Sequence, residues 1–222
     1  KYIDEFYKNS DLLAESLKNS TKFSAETYDW WAWYVDNINA YYSLYICDKI
    51  LVKDWKIKKY ETLLNNWINV LKENTDEKWF ILTESYSPNI DNNQARWPAL
   101  AWLLTYLKDL DKDFYLKQNT LFYKYFVWSN WTFTLVRDVP IWEKIVNKIP
   151  AGPVLLWYSS SATVLSLSLF KSNLDKENFE KLLKFLNFML YYKKDNYIFW
   201  KAILIDSLIL WGKTYISWWE NI

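Results

Sequence analysis

The stretch Lys58-Lys59-Tyr60-Glu61-Thr62-Leu63-Leu64-Asn65-Asn66-Trp67-Ile68-Asn69-Val70-Leu71-Lys72-Glu73-Asn74 decides the fold. Its apolar residues Tyr60, Leu63, Leu64, Trp67, Ile68 and Leu71 fall at the i, i+3, i+4, i+7 spacing of one buried helix face. Residues 177–192 repeat the pattern with Phe179, Leu182, Leu183, Leu186, Met189 and Leu190, and residues 113–127 and 4–18 carry looser versions. Between these amphipathic segments lie others that are apolar nearly all round: residues 36–51, 96–107, 161–170 and 202–211. A helix without a polar face is buried on most sides. The order therefore reads outer helix, inner helix, four times over.

Internal repetition supports this order. Leu17-Lys18-Asn19-Ser20-Thr21 returns as Leu71-Lys72-Glu73-Asn74-Thr75, an offset of 54 residues. Asp36-Asn37-Ile38-Asn39-Ala40 returns as Asp91-Asn92-Asn93-Gln94-Ala95, an offset of 55 residues. Three aromatic, β-branched pieces, residues 78–83, 131–136 and 196–200, are expected to form short strands at one end of the array. A longer connection, residues 137–158, is punctuated by Pro140, Pro150 and Pro153, with a short helix expected at 141–147. The expectation is one all-α domain over residues 1–222, built from antiparallel helical hairpins.

Composition removes whole classes of chemistry. The chain has no His, which rules out Ser-His-Asp triads, Cys-His dyads and His-ligated zinc. It has 2 Gly, so no Gly-rich phosphate loop or dinucleotide fingerprint exists, and no cofactor or metal site is expected. The net charge of +1, with Lys and Glu mixed along the chain, lacks the basic footprint of a nucleic-acid binder. What remains is carboxylate, Lys, Arg and Tyr chemistry. Cys47 is the single cysteine and lies in an apolar stretch, which reads as a small buried hydrophobe rather than a reactive thiol. Residues 149–170 carry no charge, but Pro150, Gly152, Pro153 and five serines argue against a membrane span. Two glycosylation sequons, Asn19-Ser20-Thr21 and Asn130-Trp131-Thr132, point toward an extracytoplasmic or secreted protein.

Tyr34-Val35-Asp36-Asn37-Ile38-Asn39-Ala40, Asn93-Gln94-Ala95-Arg96-Trp97-Pro98-Ala99-Leu100-Ala101-Trp102 and Ser161-Ala162-Thr163-Val164-Leu165-Ser166-Leu167 share a polar opening followed by a small or apolar run. With about 55 residues per hairpin pair, this resembles the (α/α) toroids of six-hairpin glycosidases and polysaccharide lyases. Four hairpins instead of six imply either a fragment of such a toroid or a short arc with an open groove. The resemblance implies an oligosaccharide or polysaccharide partner, and hydrolase or lyase chemistry.

The residues that could carry such chemistry follow from type and position. Asp36 and Asp91 open two inner helices, where Asp is a preferred N-cap and where the positive end of the helix dipole suits a negatively charged base or nucleophile. Glycoside hydrolysis commonly needs two carboxyl groups, one of them protonated. Glu84 lies among aromatic residues, which favour the protonated acid, so Glu84 as acid with Asp36 or Asp91 as base is the specific expectation. Trp30, Trp31, Tyr86, Trp97, Trp157 and Tyr158 are the candidate sugar-stacking residues, against the plainer role of filling the core. Arg96 stands in an apolar helix. A structural ion pair with Asp91 or Glu84 competes there with a bidentate grip on an acidic sugar. Two further readings stand beside the sugar-acting enzyme: a helical-repeat binding or structural protein with no chemistry, and a membrane-associated subunit.

Overall fold

The computed structural model describes residues 2–27, 29, 31–53, 57–76, 78–82, 84–86, 95–142, 154–155, 158–189, 192–193 and 196–197; at 84–86, 154–155, 159–161, 187–189, 192–193 and 196–197 the description is of the backbone. The chain is mostly helical, as the periodicity requires. Its elements run α1 (Tyr2–Asn19), a 3-10 turn (Thr21–Phe23), β1 (Ala32–Trp33), α2 (Tyr34–Lys53), α3 (Glu61–Glu73), β2 (Glu84–Tyr86), α4 (Trp97–Leu110) and α5 (Lys112–Tyr125). There follow β3 (Val127–Ser129), β4 (Thr134–Val136), β5 (Val154–Leu155), β6 (Tyr158–Ser159), α6 (Ser160–Ser172), α7 (Lys176–Met189), β7 (Tyr192–Lys193) and β8 (Asn196–Tyr197). The expected helix at 141–147 lies outside the described residues beyond Trp142. So does the whole of the expected inner helix at 202–211.

Burial separates the two kinds of helix. In α3 the buried residues are Leu64, Trp67, Ile68 and Leu71, the stripe that the spacing predicts, while Glu61, Asn65, Asn69 and Lys72 face solvent. In α4 no residue is exposed, and in α6 none is exposed from Ala162 to Ser172. The inner helix α2 keeps a narrow solvent edge at Asp36, Asn39, Lys49, Val52 and Lys53. The repeated pentapeptides occupy one structural place. Leu17 and Leu71 are both fully buried in the last turn of an outer helix, with Lys18 and Lys72 exposed beside them.

The chain divides into two compact units. Unit 1 comprises Lys1–Ala95 and Tyr106–Gln118, and unit 2 comprises Arg96–Thr105 and Asn119–Ile222, so α4 and α5 each contribute residues to both. In unit 1, α2 packs against α1 and α3. Its core centres on Trp67, stacked on Tyr41 at 4.2 Å between ring centroids. In unit 2, α6 packs against α7. There Trp97 is stacked on Phe122 at 3.6 Å with the rings within 10° of parallel.

Aspartates start the outer helices. Asp111 accepts the Phe114 N–H at the head of α5, and Asp175 accepts the Asn178 N–H at the head of α7. Each thereby satisfies a donor that the first helical turn leaves orphaned. A side chain from an earlier outer helix grips the other carboxylate oxygen in both cases: Lys72 on Asp111 at 2.7 Å and Tyr123 on Asp175 at 2.6 Å. At α3 the same task falls to Asp48 of α2, buried and accepting the N–H groups of Lys59 and Tyr60. With glycine nearly absent, helix ends use other residues in left-handed conformation. Leu174, at φ 57°, closes α6 in a Schellman motif, with Asp175 N–H donating to Phe170 O and Leu174 N–H to Lys171 O.

Short strands form as two-stranded antiparallel ladders. β1 pairs with β2, β3 with β4, β5 with β6 and β7 with β8. The expected strand at 131–136 is the second half of the β3–β4 hairpin, and the one at 196–200 contributes β8 at Asn196–Tyr197. In 78–83 the extended pairing is a single bridge from Ile81 to Thr75.

Candidate functional site

The head of α2 in unit 1 gathers several of the residues that the sequence singles out. The helix begins at Tyr34, so Asp36 sits within its first turn and not ahead of it. Asp36 is exposed and accepts a hydrogen bond from Thr27 Oγ1 at 2.8 Å. The same hydroxyl oxygen accepts the Trp33 N–H, and the Thr27 N–H donates to Trp31 O. Thr27 therefore closes a tight loop against the helix start. Asn37, the residue after Asp36, bonds the backbone much as a strand would. Its Oδ1 accepts the Ala25 N–H, while its Nδ2 donates to Ala25 O and Trp33 O. Trp31 and Trp33 are half-buried, edge to face at 6.2 Å.

The β1–β2 ladder brings the second expected carboxyl residue to this place. Its register sets Trp33 opposite Glu84 and Ala32 opposite Tyr86. Paired residues in an antiparallel ladder have Cα atoms about 5 Å apart. The Glu84 backbone thus stands beside Trp33, three residues before Asp36. Asp91, Trp30 and Trp157 lie outside the described residues.

In unit 2 two of the expected ligand contacts lie in the packed interior. Arg96 is paired with Asp138 at 2.6 Å, with the two side chains 10% and 0% exposed. The ion-pair role expected of Arg96 is thus filled by Asp138; of the two partners that the sequence offered, Asp91 and the Glu84 side chain lie outside the described structure. Pairing along β4 and past its end supplies the reason. Successive strand side chains point to opposite faces, so Thr134, Val136 and Asp138 are buried while Leu135 and Arg137 are half-buried. Trp97 is 1% exposed, stacked on Phe122, with its Nε1 donating to Ser166 Oγ. A ring with both faces inside the core cannot stack on a sugar, which corrects the expectation for Trp97.

Tyr158 is half-buried, 6.2 Å from the Trp128 ring, and the Arg137 guanidinium lies 5.8 Å over its centroid. An isolated bridge from Arg137 to Tyr158 holds the two backbones together. Trp131, at the tip of the β3–β4 hairpin, is 89% exposed. Trp128, Trp131, Arg137 and Asp138 were not among the expected site residues. The alternation through Thr134-Leu135-Val136-Arg137-Asp138 was the available signal, since it separates an inward carboxylate from an outward guanidinium.

Unit 1 also holds a cleft of about 240 Å³ lined by residues that include Tyr45, Asp48, Lys49, Lys58, Glu61 and Asp109. It lies toward the C-terminal end of α2, away from Asp36. Its charges are mostly committed: Asp48 to the start of α3, Lys58 to Glu61 at 2.5 Å, and Asp109 to the Tyr42 hydroxyl. Cys47 is buried, and burial pushes its thiol above the usual cysteine range, which disfavours the nucleophilic thiolate. Among the described residues no group of three or more acidic or cysteine side chains converges in a way that could hold a metal ion. No described helix is long and apolar enough to cross a membrane. No family model and no curated protein matches the chain.

Proposed function

We propose that the chain is a carbohydrate-active protein, a glycoside hydrolase whose helical hairpins form a toroid-like arc and whose carboxyl pair is Glu84 and Asp36. The observation that carries this reading is the β1–β2 register, which puts the Glu84 backbone opposite Trp33 at the head of α2. Glu84 is the acid that protonates the leaving oxygen. Asp36, exposed and oriented by Thr27, is the base or nucleophile on the opposite side of the bond. Trp31, beside the loop that Thr27 closes, offers a ring face for a sugar. An extracytoplasmic location fits an enzyme that acts on polysaccharide.

The test is product analysis on a panel of neutral and acidic polysaccharides. Wild-type protein is expected to release reducing ends from one class. Glu84→Gln and Asp36→Asn are each expected to lower the rate by at least about a hundredfold, the scale of a lost general acid or base, while ligand still quenches Trp fluorescence. Undiminished rates in both variants would remove these residues from the chemistry.

A second reading is a helical-repeat binding protein without catalysis. It is favoured by the placement of Arg96 and Trp97, two expected ligand contacts that are committed to the core of unit 2. Saturable binding with no product, unchanged in both carboxyl variants, would select it.

A further inference from the structure

The chain has two arginines, Arg96 and Arg137. Arg137 and the partner of Arg96, Asp138, are neighbours in the chain, yet the two arginines meet different fates. Asp138 is turned inward and neutralises Arg96. Arg137 is turned outward, and among the described residues no carboxylate pairs with it. Its Nε is buried without a hydrogen-bond partner. The Arg137 guanidinium carbon lies instead over the Tyr158 ring, 5.8 Å from its centroid, and that ring is tilted 54° to Trp128 at 6.2 Å. Trp128 keeps 44% of its surface open, and Trp131 stands 89% exposed at the same hairpin.

We propose that Arg137, Tyr158 and Trp128 form a subsite for an acidic saccharide, in which Arg137 grips the carboxylate of a uronic acid residue and Trp128 stacks on a sugar ring. A guanidinium laid on an aromatic face is pre-organised, because its fork of donors is already oriented before the ligand arrives. A carboxylate matches that fork in a bidentate pair, whereas a neutral sugar offers no charge to it. Tryptophan adds a broad apolar face with little side-chain entropy to lose. A nucleic acid is disfavoured, because a net charge of +1, with basic and acidic residues mixed along the chain, lacks the basic footprint that a run of phosphates needs. This assignment rests on the carbohydrate reading above and adds to it the charge of the ligand.

The experiment titrates the full chain with oligomers of galacturonate, mannuronate and glucuronate, each against its neutral-sugar counterpart of equal length, following Trp fluorescence and heat of binding. The expected result is that at least one uronate series binds at least tenfold tighter than its neutral counterpart. Arg137→Gln should erase that preference, Arg137→Lys should retain part of it, and Trp128→Ala should weaken both series. Thermal unfolding of each variant checks that the fold persists. Equal binding of acidic and neutral series, or an Arg137→Gln variant that keeps the preference, overturns the subsite and leaves the carbohydrate reading standing. Binding of neither series overturns both.

Discussion

Replacing Asp138 by Ala tests the division of labour between the two arginines. Asp138 is fully buried and Arg96 is 10% exposed at its side chain. Removing the carboxylate breaks the buried ion pair, and breaking a buried pair this way costs about 3–5 kcal/mol. At about 2–4 °C per kcal/mol for a chain of this size, the unfolding midpoint should fall by about 6–20 °C. The backbone bond from Trp97 N–H to Asp138 O does not depend on the side chain and should persist. Replacing both partners, Arg96→Met with Asp138→Leu, should restore most of the loss. The pair is imperfect, because Asp138 Oδ1 has no hydrogen-bond partner, and an apolar substitute for an imperfect buried pair is often neutral or stabilising. Urea and thermal unfolding followed by Trp fluorescence measure both effects. A cost below about 1 kcal/mol for Asp138→Ala, the scale of a surface pair, would refute the burial argument. Loss of saccharide binding in the stable double variant would return Arg96 to the ligand site.

Other outcomes follow from single features of the fold. Burial raises the Asp111 carboxyl, but the hydrogen bonds from Lys72 and from the Phe114 N–H outweigh it and leave the group below its ordinary value. A lowered folded-state value means stability that is present above about pH 3.9 and lost as pH falls through the lower folded value. Asp111→Asn should therefore flatten the acid limb of a stability–pH profile, and an unchanged limb would contradict the pairing. Leu174 is 82% exposed with φ 57°, a conformation that costs a residue with a Cβ about 1–2 kcal/mol. Leu174→Gly should raise stability by up to about 1 kcal/mol, once the greater freedom of unfolded glycine is subtracted. Cys47 should resist a thiol reagent in the native protein and react fully in denaturant, and fast native labelling would show that α2 opens.

The helices were legible because their signal is local. A buried stripe at the helical period is written within a dozen residues: of the expected face in residues 58–74, Tyr60, Leu64, Trp67, Ile68 and Leu71 are buried and Leu63 is half-buried. The repeated pentapeptides, read as support for the order of segments, fall at the ends of α1 and α3. Partner choice was not legible. The Arg96–Asp138 pair spans 42 residues, and nothing near Arg96 in the chain distinguishes Asp138 from Asp91 or Glu84. Trp97 looked like a ligand contact because it stands at the start of an inner helix. Only the approach of α5 and α6 shows that Phe122 and Ser166 occupy its ring face and its N–H. The sequence by itself determined a mostly helical chain, its amphipathic and its all-round apolar helices and the chemistries that a chain without histidine cannot perform. The tertiary structure alone decided which charges neutralise one another and which stay open, because pairing depends on the strand faces and ladder registers that bring distant residues together.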